Sequence, residues 1–149
     1  MLTFSRDANT GELTHLDTLD IGFNNHSLDV SPNGEFLYSC GGGWVFTMTL
    51  DSSTGLPTVI DQLGHTNGKA TDKVTVSPDG LFLYLSDINA YQFDSDAGDG
   101  RPLTVFSINQ TTGELTEVQQ IVLGHPDALL DGVTDMKMTP DGRFFFTGA

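Results

Sequence analysis

Apolar and β-branched residues come in short runs along this chain, and turn-forming residues bound each run. Val74-Thr75-Val76 precedes Ser77-Pro78-Asp79-Gly80, and Leu81-Phe82-Leu83-Tyr84-Leu85 follows it. That pattern predicts two antiparallel strands joined by a proline–glycine turn. The same turn recurs as Ser31-Pro32-Asn33-Gly34 and as Thr139-Pro140-Asp141-Gly142. A second turn type alternates with it, in Thr10-Gly11-Glu12-Leu13, Thr54-Gly55-Leu56-Pro57 and Thr112-Gly113-Glu114-Leu115. The runs themselves are of two kinds. Trp44 to Leu50 and Leu103 to Ile108 interleave threonine or serine with β-branched and aromatic residues, which predicts half-buried strands. Phe36 to Tyr38, Leu81 to Leu85 and Phe144 to Phe146 are continuously apolar, which predicts inner strands covered on both faces. No window holds a sustained helical period, and 17 glycines suit a turn-dense all-β chain.

The glycines also set a repeat. Gly34 and Gly80 are 46 residues apart and Gly11 and Gly55 are 44 apart; the next intervals, Gly80 to Gly142 and Gly55 to Gly113, are 62 and 58. Two turn types thus recur with one shared insertion. A period in the forties with two hairpin turns means four strands per repeat, the arithmetic of a β-propeller blade. With the strands of a blade named A to D, the proline turn joins A to B and the threonine–glycine turn joins C to D. The predicted organisation is strands C-D over residues 1–22, a full blade over 23–64, a second full blade over 65–123 with an acidic insertion at 86–102, and strands A-B over 124–149. This is about three blade-equivalents, whereas propellers close with about four to eight. The expectation is therefore a partial propeller: a segment of a longer chain, or one of several assembling copies. In an assembly, Leu2 to Ser5 would pair with Arg143 to Phe146 of another copy, covering two apolar edges.

Four stretches carry a likeness to a known family: "LTFSRDANTGELTHLDTL" from Leu2 to Leu19, "VTVSPDGLFLYLSD" from Val74 to Asp87, "LTVFSINQTTGELTEVQ" from Leu103 to Gln119, and "LLDGVTDMKMTPDGRFFFTG" from Leu129 to Gly148. With them the chain resembles the lactonase-like β-propeller repeat family, which includes proteins named 6-phosphogluconolactonase and muconate cyclase. The same phrases resemble repeats of large secreted propellers with no known catalysis, so the likeness is specific to the blade rather than to an activity.

Charge narrows the partners. The formal net charge is −14, and Lys and Arg together number only 6 against 20 acids. Such a surface lacks the cations that drive binding to nucleic acid or anionic lipid, leaving cations and neutral ligands, small molecules or carbohydrates among them, as the expected partners. Some of the aspartates, Asp79 and Asp141 among them, occupy turn positions that aspartate favours. Acid enrichment beyond that points to a secreted or cell-surface setting. No apolar run approaches the roughly 18 residues of a membrane-spanning helix, and the given sequence shows no secretory leader. Asn25-His26-Ser27 and Asn109-Gln110-Thr111 match the glycosylation acceptor pattern. Cys40, the single cysteine, reads as a small buried strand residue. Nucleophile elbow, zinc-helix, Walker and dinucleotide motifs are missing from the sequence, and Gly41-Gly42-Gly43 reads as a tight connection between strands B and C.

The remaining chemistry falls on one end of the blades. Successive antiparallel strands reverse direction, so the D-to-A and B-to-C connections share one end and the two hairpin types share the other. His26, His65 and His125 all precede a strand A and so belong to the first end. The segment "NNHSLDVSPNGEFLY" resembles the family's histidine-bearing lead into strand A, which makes His26 the candidate catalytic residue and His65 and His125 candidates for a ligand face. The likeness assigns no arginine or glutamate partner to Arg6, Arg101 or Arg143. The insertion contributes Asp94-Ser95-Asp96-Ala97-Gly98-Asp99-Gly100, in which Asp94, Asp96 and Asp99 approximate a calcium loop with one extra residue and no downstream glutamate. Its alternative is a solvated acidic surface loop. Two functions follow. One is a non-catalytic propeller segment of a secreted or surface protein for binding or assembly, with calcium as its candidate stabiliser; it needs only what the sequence displays. The other is part of a lactone hydrolase with a loop histidine as general base, which needs partner residues besides.

Overall fold

The computed structural model describes residues 1–22, 24–64, 70–88, 101–123, 133 and 135–148. Every strand lies in a purely antiparallel sheet, and the described residues contain no helix. β1 (Leu2–Arg6) pairs with β2 (Leu13–Thr18). β3 (Ser27–Val30), β4 (Phe36–Gly41), β5 (Trp44–Leu50) and β6 (Pro57–Gly64) form a four-stranded sheet in chain order. A second four-stranded sheet holds β7 (Ala70–Val76), β8 (Phe82–Ile88), β9 (Arg101–Ile108) and β10 (Leu115–Leu123), again as consecutive neighbours. β11 (Asp135–Met138) and β12 (Phe145–Gly148) make a last pair. These are the expected all-β blades of four antiparallel strands, with two-stranded sheets before and after them.

Both turn types close as their residues dictate. In the proline turns the fourth residue is a glycine with φ near +70°, and its amide donates to the carbonyl of the first, as in Gly34 to Ser31, Gly80 to Ser77 and Gly142 to Thr139. The threonine–glycine turns instead close on an acid or amide: Asp7, Asp51 and Asn109 each accept amide hydrogen bonds from residues two and three further on. The carboxyl of Asp51 is held down to about 2, chiefly by the Ser53 hydroxyl, and those of Asp79 and Asp141 are lowered first by the hydroxyls of Ser77 and Thr139. These depressed values mean that the turns stabilise the fold fully above the ordinary 3.8 and lose that contribution as pH falls toward about 2. The melting temperature should hold level at mildly acidic pH and then fall through that window. Asp51→Asn should flatten part of the fall; an unchanged acid titration would count against the turns as its source.

The sheets stack face to face, and alternation along the inner strands sends successive side chains to opposite neighbours. From β4, Phe36, Tyr38 and Cys40 join Val74, Val76, Leu83, Leu85 and Phe106 of the following blade in one core. Leu37, between them, turns the other way and packs with Phe46 and Met48 against Met1, Leu19 and Ile21. Beyond the second blade, Leu103 packs with Val133 and Met136, with Tyr84 and Phe145 at the margin. β4 is buried at all six positions, as its apolar run predicted. β5 departs from expectation: Val45 to Met48 are buried without interruption, Thr47 included, because neighbouring sheets cover both of its faces. The run at Phe144 to Phe146 departs in the opposite sense, since Phe144 and Phe146 are exposed on a face that no other sheet among the described residues covers.

Side chains also join the blades. Asp29 of β3 accepts from the Val76 amide at 2.8 Å and the Thr75 hydroxyl at 3.1 Å, and the Ser27 hydroxyl accepts from the Val74 amide at 3.3 Å. The free backbone edge of β7 is thus satisfied by the strand A of the preceding blade rather than by water. Tyr38 donates its phenol to the Gly113 carbonyl at 3.2 Å, tying β4 to the β9–β10 turn, and burial pushes its ionisation up to about 12.

Candidate functional site

His26 lies just before β3, and its amide donates to the Cys40 carbonyl at 2.9 Å, extending the β3–β4 ladder by one residue. The segment leading to it rests on the end of β4. Ser39 donates its hydroxyl to the Asn25 side-chain oxygen at 2.7 Å. At Gly41 the Asn24 carbonyl comes so close that any Cβ would overlap it. A glycine is required there for close approach rather than for an unusual φ. This end of the blade is the one that holds the β4–β5 connection, opposite the turns with Gly55 and Gly113.

The following blade supplies the partner. Asp72 of β7 places an oxygen 3.7 Å from His26 Nδ1, with the histidine side chain 36% exposed and the aspartate 15% exposed. Beside it, Thr71 is fully buried and donates its hydroxyl to the Trp44 carbonyl at 3.3 Å. Cys40 lies underneath. Burial, and after it the Asp72 charge, push its thiol up to about 12, so it stays protonated and inert as a nucleophile. The arrangement is a partly open imidazole beside a mostly shielded carboxylate of the following blade. At 3.7 Å the carboxylate is an electrostatic neighbour of Nδ1 rather than its hydrogen-bond acceptor.

Asp72 was missed in the sequence reading, though a signal existed. His26 stands eight residues before Gly34, and Asp72 stands eight before Gly80. Equivalent positions of consecutive blades face one another across the stack, so aligning the repeats brings the two together. The other candidates, His65, His125, Asp94, Asp96 and Asp99, lie outside the described residues. Among the described residues no three His, Cys, Asp or Glu side chains gather as a metal site.

No family model matches the chain, and no curated protein matches it. Solved structures do match. Proteins from Bacteroides uniformis and Bacteroides fragilis, each described as a "putative 6-phosphogluconolactonase", superpose with TM-scores of 0.75 and 0.69 at 21% and 22% identity. A protein from Lactobacillus plantarum superposes with a TM-score of 0.73 at 22% identity. The chain shares the fold of these proteins over nearly its whole length. These matches cover 97–98% of this chain but only 40% of each of those chains. At such identity the likeness speaks to the fold alone, and the blades here span less than half of those proteins.

Proposed function

We propose that these blades belong to a lactonase-type propeller that hydrolyses a cyclic ester, with His26 as general base and Asp72 as the residue that orients it. The reading rests on the Asp72 carboxylate standing 3.7 Å from His26 Nδ1 at a blade end. The names of the two Bacteroides neighbours support it as analogy. In this mechanism Nε2 takes a proton from a water molecule as its oxygen bonds to the ester carbonyl carbon. The tetrahedral intermediate then breaks its bond to the ring oxygen, and the imidazolium returns the proton to that oxygen, giving a hydroxy acid.

The test is lactone hydrolysis followed by acid release in weak buffer, across sugar lactones and simple five- and six-membered lactones. His26→Ala should lower kcat by about 10²- to 10⁴-fold with the melting temperature held, and Asp72→Asn should cost less. Hydrolysis equal in His26→Ala and the unmodified protein would sink the proposal. A second reading, a non-catalytic segment for binding or assembly in a secreted or surface protein, is favoured by the apolar residues exposed on β1 and around β12. It predicts no turnover on any of these lactones.

A further inference from the structure

Two stretches match the glycosylation acceptor pattern, Asn25-His26-Ser27 and Asn109-Gln110-Thr111, and their surroundings set them apart. Asn109 opens the turn between β9 and β10, at the blade end opposite the one that carries His26. Its side-chain oxygen accepts the Thr111 amide at 2.9 Å and the Thr112 amide at 3.1 Å. Asp7 and Asp51 hold the equivalent turns in the same way. The turn uses only an oxygen, so an amide in place of the acid leaves its nitrogen spare. Among the described residues neither Asn109 Nδ2 nor the Thr111 hydroxyl has a hydrogen-bond partner, and Asn109, Thr111 and Thr112 are exposed. Gln110, between them, folds back onto its own blade, where Nε2 donates to the Gly80 carbonyl at 2.8 Å. The acceptor pair therefore stands clear. We propose that Asn109 is an attachment site for an N-linked glycan, and that Asn25 in the folded chain is not.

The chemistry needs an accessible amide nitrogen with a free hydroxyl two residues on. Hydrogen bonds accepted at the Asn109 oxygen polarise the amide and make its N–H more acidic. In the transfer, Nδ2 bonds to the anomeric carbon of a phosphate-activated sugar as that carbon's bond to the phosphate oxygen breaks. The phosphate leaves with the electron pair, and the Nδ2 proton passes to a base of the transferase. At the other motif both groups are engaged. Asn25 is half-buried, and its side-chain oxygen accepts the Ser39 hydroxyl rather than the amide of its own third residue. The Ser27 hydroxyl accepts the Val74 amide of the following blade at 3.3 Å. A glycan on Asn109 leaves the core undisturbed, because the turn is seated through Gly113, whose carbonyl accepts the Tyr38 phenol. The proposal is independent of the lactonase reading and goes with a secreted or surface setting, where chains meet such transferases.

The test treats the folded 149-residue chain with a soluble asparagine glycosyltransferase and a nucleotide-activated hexose. The transferase is one that modifies free peptides of both motifs. Expected is one hexose per chain by intact mass, mapped to Asn109, with the melting temperature unmoved. Asn109→Asp should abolish the addition and keep the turn, since Asp7 and Asp51 already serve at that position. Thr111→Ala should abolish it too with the fold intact, because the turn uses only the Thr111 amide. A folded chain that takes no hexose, or takes it at Asn25, overturns the proposal. So does a hexose on Asn109 that lowers the melting temperature, which would mean that the turn must open to accept it. Lactone turnover is read at the other end of the blades, and neither result decides the other.

Discussion

Gly41→Ala should unseat the segment that carries His26 while leaving the outer strands of the blade in place. A Cβ at this position overlaps the Asn24 carbonyl oxygen, which is backbone and cannot rotate aside. β4 is held between β3 and β5 and buried at every position, so the Asn24–Asn25 segment must yield. Its departure breaks the hydrogen bonds from Ser39 to Asn25 and from the His26 amide to Cys40. We expect a loss of about 3 kcal/mol, at the upper end of overpacking costs, read by urea denaturation. The His26 ring proton resonances should shift in NMR spectra, and any His26-dependent turnover should vanish with them. A variant with wild-type stability and an unmoved His26 signal would mean that the segment does not rest on β4 as described.

Gly113→Ala should cost about 2–5 kcal/mol, and Gly55→Ala about 1–2 kcal/mol. Both glycines close equivalent turns with φ just above +70°, so both variants carry the penalty of a left-handed residue with a side chain. Only one also collides. A Cβ on Gly113 would stand 2.6 Å from Phe36 Cδ1 and 3.0 Å from Thr47 Cγ2, whereas Gly55 has nothing within 4 Å. Phe36 belongs to the core between the blades, so its ring cannot swing away without opening that core. The Tyr38 phenol, which donates to the Gly113 carbonyl, would lose its partner as the turn moves. The difference between the two variants therefore measures how tightly the β9–β10 turn seats on the preceding blade. Equal melting temperatures would show that it does not seat there.

The sequence by itself determined the strands, their order and their pairing within each blade. Turn residues and short apolar runs act over a few neighbours, and a hairpin needs nothing more distant, so Ser77 to Gly80 and Thr112-Gly113 marked their turns without help from the rest of the chain. Contacts between blades were decided only by the tertiary structure. Phe36 and Phe144 sit at the same place in the same local pattern, yet one is buried and the other exposed, because burial depends on whether a sheet lies against that face. Thr47 is buried for the same reason, although its alternating pattern suggested an open face. His26 was legible as a loop residue of one blade end, but the carboxylate beside it comes from a strand 46 residues further on. Stacking the sheets is what sets that 3.7 Å distance. The same stacking makes Gly113 sterically obligatory, whereas Gly41 answers to the Asn24 carbonyl of its own blade and Gly55 only to its own turn.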